Sequence, residues 1–419
     1  MFAALQNVWN AVELRKKIIF TLMMFAVFRF GAHIPVPGID SAKLAQLFGN
    51  NNLFDLMDLF AGGSLSKFSI FAMSITPYIN ASIIMQLLGV VVPTIERWGK
   101  EGEEGRKKIT QTVRYGTVIL AFVQGVGMSY GFSAAMTFSH GFISHLLVAT
   151  ILTAGTVFLM WIGEQITENG VGNGISLLIF AGIVARLPSG IYTIFEYVRA
   201  GTINIVSAFA FVIMAAAMII FVIWIQQGQR KIPVQYAKRV VGRRVYGGQS
   251  TYLPLKVNQA GVIPIIFASS ILMFPLTIAQ FTDISWIKAV AGWFAWGSVM
   301  NTAFYILFII FFTYFYTAVT FNVPEVAENM KKNGGFIPGL RPGKPTADYL
   351  ERVMSRITLA GAIFLALIAV VPNAMGWLTG VQGVYFGGTA LLIVVGVALD
   401  TMKQIEAMIL QRHYQGFMK

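Results

Sequence analysis

The chain has 419 residues, of which 56% are hydrophobic and only 12% are charged. A water-soluble protein cannot bury that much apolar surface, so the composition predicts an integral membrane protein. Because there is no cysteine, disulfides and thiolate metal sites are excluded. The formal net charge of +13 makes the positions of the basic residues the main guide to orientation.

Apolar runs of about 20 residues, the length that crosses the hydrocarbon core of a bilayer, recur along the whole chain. The alternating pattern of a membrane barrel is missing, so we predict an all-α polytopic membrane protein with ten transmembrane helices. The predicted spans are Ile18–Ile34, Phe68–Val92, Tyr115–Phe132, Phe142–Ile162, Ile175–Ile194, Ile203–Ile225, Val262–Phe281, Ala303–Phe321, Thr358–Val371 and Tyr385–Leu399. No small-residue cleavage site follows the first span before Pro35, so we expect this span to be retained rather than removed as a signal peptide.

The basic residues fall mostly in alternate connections between the predicted spans. Of the 31 lysines and arginines, 25 precede span one, lie between spans two and three, six and seven, or eight and nine, or lie near the C-terminus. The positive-inside rule therefore places these segments and both termini in the cytoplasm, which agrees with ten crossings. The opposite side receives Lys43, Lys67, Arg186, Arg199 and Lys288, while Arg29 is left inside span one.

Two of the basic connections are long. Residues 226–257 carry seven basic residues and no acidic one. Topology and contact with anionic phospholipid explain this charge, and so does a projecting hairpin whose arginines bind RNA phosphate or an acidic protein surface. In residues 322–356, glycines and prolines fix turns, but turn chemistry does not explain Arg341 between them.

The second span is broken. The short amphipathic run Leu53 to Phe60 precedes Gly62 and Gly63, which is typical of a half-length helix with a hinge. Such segments line cavities when they lie at membrane depth, although an interfacial helix outside any pore fits the pattern equally well. Three prolines inside predicted spans are expected to permit kinks: Pro77, Pro264 and Pro275.

Few polar groups enter the spans. No Asp or Glu lies near the centre of a predicted span, which argues against an ion-coupled pump. The uncharged side chains of Gln86, Gln124 and Asn258 lie within or at the ends of spans, where hydrogen bonds between helices would explain them. The four histidines lack metal-ligand spacing and are expected in loops or at the membrane interface. The sequence also lacks a nucleotide-binding P-loop, so we expect no nucleotide hydrolysis. Glu164 and Glu168 have no catalytic partners near them in the sequence, and we expect no enzymatic activity, metal or cofactor.

Several strings, in order along the chain, resemble the SecY family, the channel subunits of the bacterial general protein-secretion translocon. The resemblance runs from Arg15 to Lys419. The strings include Arg29-Phe30-Gly31, Ile34-Pro35-Val36-Pro37-Gly38, Ser74-Ile75-Thr76-Pro77-Tyr78-Ile79, Gly172-Asn173-Gly174-Ile175-Ser176, Ala260-Gly261-Val262-Ile263-Pro264, Pro338-Gly339-Leu340-Arg341-Pro342-Gly343 and Phe386-Gly387-Gly388-Thr389.

The resemblance implies two inverted five-helix halves, residues 1–200 and 201–419, around an hourglass pore. The implied function is a gated channel that moves unfolded secretory polypeptides across the plasma membrane and releases hydrophobic segments laterally into it. The implied pore ring consists of Ile75, Ile79, Ile175, Ile179, Ile266 and Ile393. The implied plug spans about residues 53–67, with Phe60, Gly62, Gly63, Ser64 and Leu65 as plug and hinge. The lateral gate would contain Gln86, Gln124 and Asn258, and the docking residues would be Arg243, Arg244 and Arg341.

The family's partners are implied with the function. They are the SecE and SecG subunits, the SecA motor ATPase, the ribosome, signal sequences and unfolded polypeptide substrates. An ion-coupled secondary transporter is the alternative class, and a receptor or scaffold without a pore is a third.

Overall fold

The computed structural model describes residues 11–40, 43–44, 58, 62–137, 141–236, 239–241, 244–246, 250–280, 286, 292–294, 298–379 and 388–417. Its helices are α1 (Val12–Gly31), α2 (Thr76–Val91), α3 (Pro93–Lys100), α4 (Glu103–Gly131), α5 (Phe142–Asn169), α6 (Gly174–Arg199), α7 (Ile205–Gln227), α8 (Ile263–Gln280), α9 (Val299–Thr320), α10 (Val323–Lys332), α11 (Lys344–Thr379) and α12 (Gly388–Phe417). Its strands are β1 (Gln229–Tyr236), β2 (Arg239–Val241), β3 (Arg244–Tyr246), β4 (Ser250–Lys256) and β5 (Gly335–Phe336).

The predicted all-α polytopic class is confirmed, and each predicted span overlaps a helix of the structure, while the count of ten transmembrane helices stays a prediction. Within the described ranges, α5, α6, α7, α9 and α11 are each long and apolar enough to cross a membrane. A further candidate is α2 with α3, which together are bent by 100°. Several helices extend past the predicted ends; α11, for example, begins at Lys344 rather than at Thr358.

The second predicted span, Phe68–Val92, is wrong at its start, because the helix begins only at Thr76. Residues 62–75 form turns instead. Phe68 and Ser74 have φ angles of +42° and +52°, in the left-handed region that an α-helix cannot contain. The apolar composition of this stretch reflects burial, which a hydropathy pattern cannot distinguish from helical spanning.

The turns of residues 62–75 satisfy their backbone groups by pairing with the segment after α1. The Val36 N–H donates to the Phe68 carbonyl at 2.9 Å, and the Ile70 N–H donates to the Ile34 carbonyl at 3.0 Å. Gly155 of α5 lies against this segment so closely that a Cβ there would overlap the Ile70 carbonyl oxygen. Non-helical backbone is thus tolerated because protein surrounds it.

Two of the prolines expected to kink spans lie at helix starts instead. Pro77 occupies the first turn of α2, and Pro264 directly follows the first residue of α8. A proline there removes no helical hydrogen bond, because the first N–H groups of a helix have no partner within it. Pro275 does lie inside α8, as predicted, and Pro188 lies inside α6.

The two long basic connections fold together, which the sequence reasoning did not foresee. β1 pairs antiparallel with β4 from Gln229↔Lys256 to Gln235↔Ser250, so the predicted hairpin in residues 226–257 is confirmed. β5, from the later connection, adds to the other edge of β1. This sheet unit, β1, β4 and β5, packs on α10 and α11 through a core of its own. Its buried members are Ile232, Val234, Leu255, Met330, Ile337, Leu350, Val353, Met354 and Ile357.

The two ends of the described chain meet at one place. Leu14 of α1 packs with Val171, in the turn between α5 and α6, and with Ile405 and Met408 of α12. The Val171 N–H also donates to the Thr21 hydroxyl at 3.1 Å. The start of α1 and the end of α12 therefore lie on the same side as the α5–α6 turn.

Candidate channel site

The six isoleucines of the predicted ring meet in one apolar cluster. They come from the start of α2 and from α6, α8 and α12, and the cluster also includes residues of α1 and α5. Ile75, Ile179 and Ile393 are buried, with exposed fractions of 2%, 6% and 2%, while Ile79, Ile175 and Ile266 are partly buried against them. We refer to these six residues and the apolar side chains packed on them as the ring cluster.

Branched alkyl groups converging from several helices leave no hydrogen-bonding partner for water. A narrow passage lined this way excludes ions by dewetting. Ile79 also packs on the second large cluster, which α2, α7, α8, α9, α11 and α12 form. The ring cluster is therefore continuous with the core of the later helices, so movement of those helices would shift the side chains of the ring cluster.

The predicted plug is only partly within the described residues. Phe60 and all of residues 53–57 lie outside them, while Asp58 is helical. Gly62 and Gly63 have φ angles of +65° and +86°, which only glycine adopts without strain. Ser64 and Leu65 are both buried, and Leu65 packs in a cluster with Val36, Leu44 and Phe68.

Two arginines from different helices hold the beginning of this segment. The Arg29 Nη1 donates to the Gly62 carbonyl at 2.8 Å, and Arg186 Nη2 lies 2.9 Å from Asp58 Oδ2. Arg29, predicted inside span one, lies in the last turn of α1. Arg186 was counted with the basic residues of the opposite side, although the predicted span Ile175–Ile194 contains it; it lies inside α6, where its charge is balanced by the fully buried Asp58. Sequence analysis missed this pair, because Asp58 and Arg186 are far apart in the chain.

The three polar residues of the predicted gate do not bond to one another. Gln86 of α2 donates to Ser82 of its own helix at 3.4 Å, and Asn258 donates to the Gly261 carbonyl at 2.9 Å. Gln124 lies half-buried in α4. The Oδ1 atom of Asn258 is buried and has no hydrogen-bond partner. The contact between α2 and α8 is apolar, with Ile83 and Leu272 in the same cluster.

The predicted docking residues lie on the two connections that the sheet unit joins. Arg341 is exposed in the turn between β5 and α11, between Gly339 and Gly343, whose φ angles are +84° and +105°. The Thr346 hydroxyl donates to the Arg341 carbonyl at 2.8 Å, which fixes this turn. Arg244 lies in β3, in the β2–β3 hairpin, and Arg243 lies outside the described residues.

A second ion pair braces the early helices. Arg114 of α4 binds Glu164 of α5 through two hydrogen bonds, with Nε at 2.7 Å from Oε1 and Nη2 at 2.8 Å from Oε2. This paired geometry is the strongest form of an Arg–carboxylate contact. The sequence did not predict this pair, because no spacing rule connects positions 50 residues apart. His145, expected in a loop or at the interface, is instead buried in the first turn of α5 near the Ser129 hydroxyl.

Comparison with known proteins identifies the family. The SecY family profile matches residues 69–402. The protein translocase subunit SecY of Halalkalibacterium halodurans is 50% identical to this chain, with 100% of both chains covered. The protein translocase subunit SecY of Escherichia coli K12 is 46% identical, with 97% of this chain and 94% of that protein covered.

Solved structures have the same fold. A protein-conducting channel superposes with a TM-score of 0.68 at 19% identity, covering 94% of this chain and 92% of that one. A SecY protein, whose plug domain stabilises the closed translocation channel and maintains a membrane seal, gives 0.67 at 18% identity with the same coverage. Sec61 from the canine ribosome-channel complex gives 0.65 at 18% identity, again with that coverage. The family profile and the full-length similarity show that this multi-pass membrane chain belongs to the SecY family of non-enzymatic protein-conducting channel subunits.

Proposed function

We propose that this chain forms the pore through which unfolded secretory polypeptides cross the bacterial plasma membrane, with the ring cluster as its seal. The observation that carries this assignment is the convergence of six isoleucines from four helices in one cluster. Alkyl side chains can separate around a passing polypeptide without requiring particular side chains from it. The same side chains close to a dry constriction when the pore is empty.

Residues 53–67 act as the plug of the closed channel. Much of its described part is enclosed by protein, since Asp58, Ser64 and Leu65 are all buried, although Lys67 at its end is exposed. That burial supports a plug over the interfacial helix that the sequence pattern also allowed. The left-handed Gly62 and Gly63 provide the backbone freedom for displacement.

Lateral release occurs between α2 and α8, where a hydrophobic segment leaves the pore for the lipid. The described contact there is apolar, so an apolar segment can replace one face of it at little cost. The Oδ1 atom of Asn258, which is buried without a hydrogen-bond partner, lies at the start of this region. Movement of the gate would allow this atom to accept a hydrogen bond. Gln86, Gln124 and Asn258 form the polar part of the gate in this proposal.

The sheet unit and the β2–β3 hairpin form the cytoplasmic docking surface for SecA and for the ribosome. Two basic connections joined by strand pairing present a single surface. Exposed arginines such as Arg341 suit both an acidic protein and RNA phosphate. The Sec61 chain with the same fold comes from a ribosome-channel complex, which supports the ribosome as a partner.

The remaining assignments follow the family. SecE and SecG are the partner subunits, and anionic phospholipid contacts the basic connections. Residues 1–200 and 201–419 form the two inverted halves, with both termini in the cytoplasm. The meeting of α1 and α12 at the α5–α6 turn supports placing both termini on one side.

The proposal is tested by reconstituting the chain with SecE and SecG and measuring SecA-driven translocation. We expect Arg341→Glu to reduce translocation and salt-sensitive SecA binding while leaving membrane insertion of the channel unchanged. Arg352→Glu is the matched control, because this exposed arginine donates to the Asp348 carbonyl of its own helix. Normal secretion by the Arg341 variant contradicts the docking role, and failure of the unmodified complex to move any polypeptide contradicts the channel.

A further inference from the structure

The beginning of the plug carries a carboxylate with an unusual set of partners. Asp58 is fully buried, and its Oδ1 accepts the Leu65 N–H at 2.8 Å and the Ser66 N–H at 3.0 Å. Its Oδ2 faces Arg186 Nη2 of α6 at 2.9 Å. One carboxylate thus folds the plug segment on itself and ties that segment to a membrane helix.

A buried carboxylate is stable only while its partners remain in place. Removing one member of a buried ion pair leaves an uncompensated charge, which is strongly unfavourable. The Arg186 side chain is 28% exposed and that of Asp58 is fully buried, so the carboxylate depends entirely on partners within the protein. Moving the plug away from α6 requires both groups to exchange this contact for water.

The neighbouring contacts reinforce the same position. Gly62 lies against Gly182, one turn before Arg186 in α6, and a Cβ on Gly62 would be 2.8 Å from the Gly182 Cα. On its other side the Gly62 carbonyl accepts the hydrogen bond from Arg29 of α1. The start of the plug is therefore held between α1 and α6 by two cationic side chains and one glycine-to-glycine contact.

We propose that Asp58 and Arg186 form an ionic latch that sets how readily the plug leaves the closed channel, with Arg29 as a second hold on Gly62. This inference rests on the proposed role of residues 53–67 as the plug. Asp58 and Arg186 are positioning residues, since they act on the plug rather than on the polypeptide substrate. A strong latch suppresses opening without substrate, and a weak one admits poor signal sequences.

The latch is tested by the accessibility of a single cysteine in the plug. The natural chain has no cysteine, so Ser64→Cys reports alone on a position that is fully buried when the plug is closed. In the reconstituted complex we expect Asp58→Asn and Arg186→Gln each to raise the rate of labelling by a membrane-impermeant maleimide by at least about tenfold. Arg186→Lys, which keeps the charge, is expected to restore most of the protection.

Coupling between the two residues separates a latch from two independent effects. The double variant Asp58→Asn/Arg186→Gln is expected to be labelled no faster than the faster of the two single variants. If its rate increase instead equals the product of the two single increases, the residues act independently and the pairing is wrong. A Thr313→Cys reporter in α9, buried and adjacent in sequence to Phe312 of the other large cluster, must stay unreactive in every variant. An equal rise at that reporter indicates general loosening and overturns the latch.

Deleting residues 53–67 distinguishes the latch from the plug itself. If the deletion makes membranes leak ions while the single variants leave labelling and resting conductance unchanged, the latch is wrong and the plug stands. If the deletion causes no leak, the plug assignment is wrong, and so is the latch that depends on it.

Discussion

Replacing Ile179 by asparagine tests the seal most directly. Ile179 is buried within the ring cluster, and the side chains that define that cluster are apolar. Asparagine is close to isoleucine in length but carries an amide that needs hydrogen-bond partners. We expect Ile179→Asn to wet the constriction and to raise the ion conductance of the channel at rest.

The size of the effect follows from the cost of leaving the amide dry. A buried polar group without a partner costs about 1–3 kcal/mol, and water entering the constriction recovers that amount. Since every 1.4 kcal/mol is a factor of ten, the ratio of wet to dry channels should rise about 5- to 150-fold. Ile179→Leu, which conserves volume and polarity, should leave the ratio almost unchanged.

Conductance is measured in planar bilayers containing the reconstituted complex, without substrate or SecA. The matched control is Ile309→Asn in α9, a fully buried isoleucine in the other large cluster. It places the same amide in an equally dry environment, so it should lower thermal stability without opening a path for ions. The ring assignment is refuted if Ile179→Asn folds, translocates and leaves resting conductance at the level of the unmodified channel, or if both variants leak equally.

Two further predictions concern packing and pairing. Gly155→Ala should lower the free energy of unfolding by about 1–3 kcal/mol, because the added Cβ would overlap the Ile70 carbonyl oxygen. The control is Gly131→Ala, whose Cβ would have no heavy atom within 4 Å and should leave stability unchanged. Equal melting temperatures for the two variants would contradict the close approach at Gly155. Glu164→Gln should lower the free energy of unfolding of the detergent-solubilised complex by less than about 1 kcal/mol, since Arg114 is half exposed. The resulting drop in melting temperature should shrink in high salt. A drop that does not depend on salt would mean that the pair is not electrostatic in origin.

The spans were predictable because a bilayer imposes one simple rule on composition. Every predicted span overlaps a helix, although Phe68–Val92 is helical only from Thr76, and the alternation of basic connections fixed the expected orientation. The ring residues, in contrast, are ordinary apolar residues in any hydropathy pattern. Only the family resemblance distinguished Ile179 from Ile309, although the structure buries both in apolar clusters.

Contacts between distant segments account for what sequence reasoning missed. Ile232 and Val234 alternate with exposed residues along β1, but nothing local indicated that β5, about 100 residues later, would complete the sheet. The Asp58–Arg186 pair escaped for the same reason. Arg186 was counted with the basic residues of the non-cytoplasmic side, because the positive-inside rule cannot recognise a cation that is neutralised inside the protein.

The broken second span divides into two parts that are held by different forces. Residues 68–75 are fixed by backbone hydrogen bonds to residues 34–36 and by the close approach of Gly155, none of which water can easily replace at that depth. Asp58 and Gly62 are instead held by two arginine side chains, which can exchange their partners for water. Gly63 lies between the two parts with φ +86° and open space around its Cβ position. Rotation near Gly63 therefore releases the charged end of the proposed plug only when the Leu65 and Ser66 N–H groups also leave Asp58 Oδ1, while the segment leading into α2, with Ile75 of the ring cluster, stays in place.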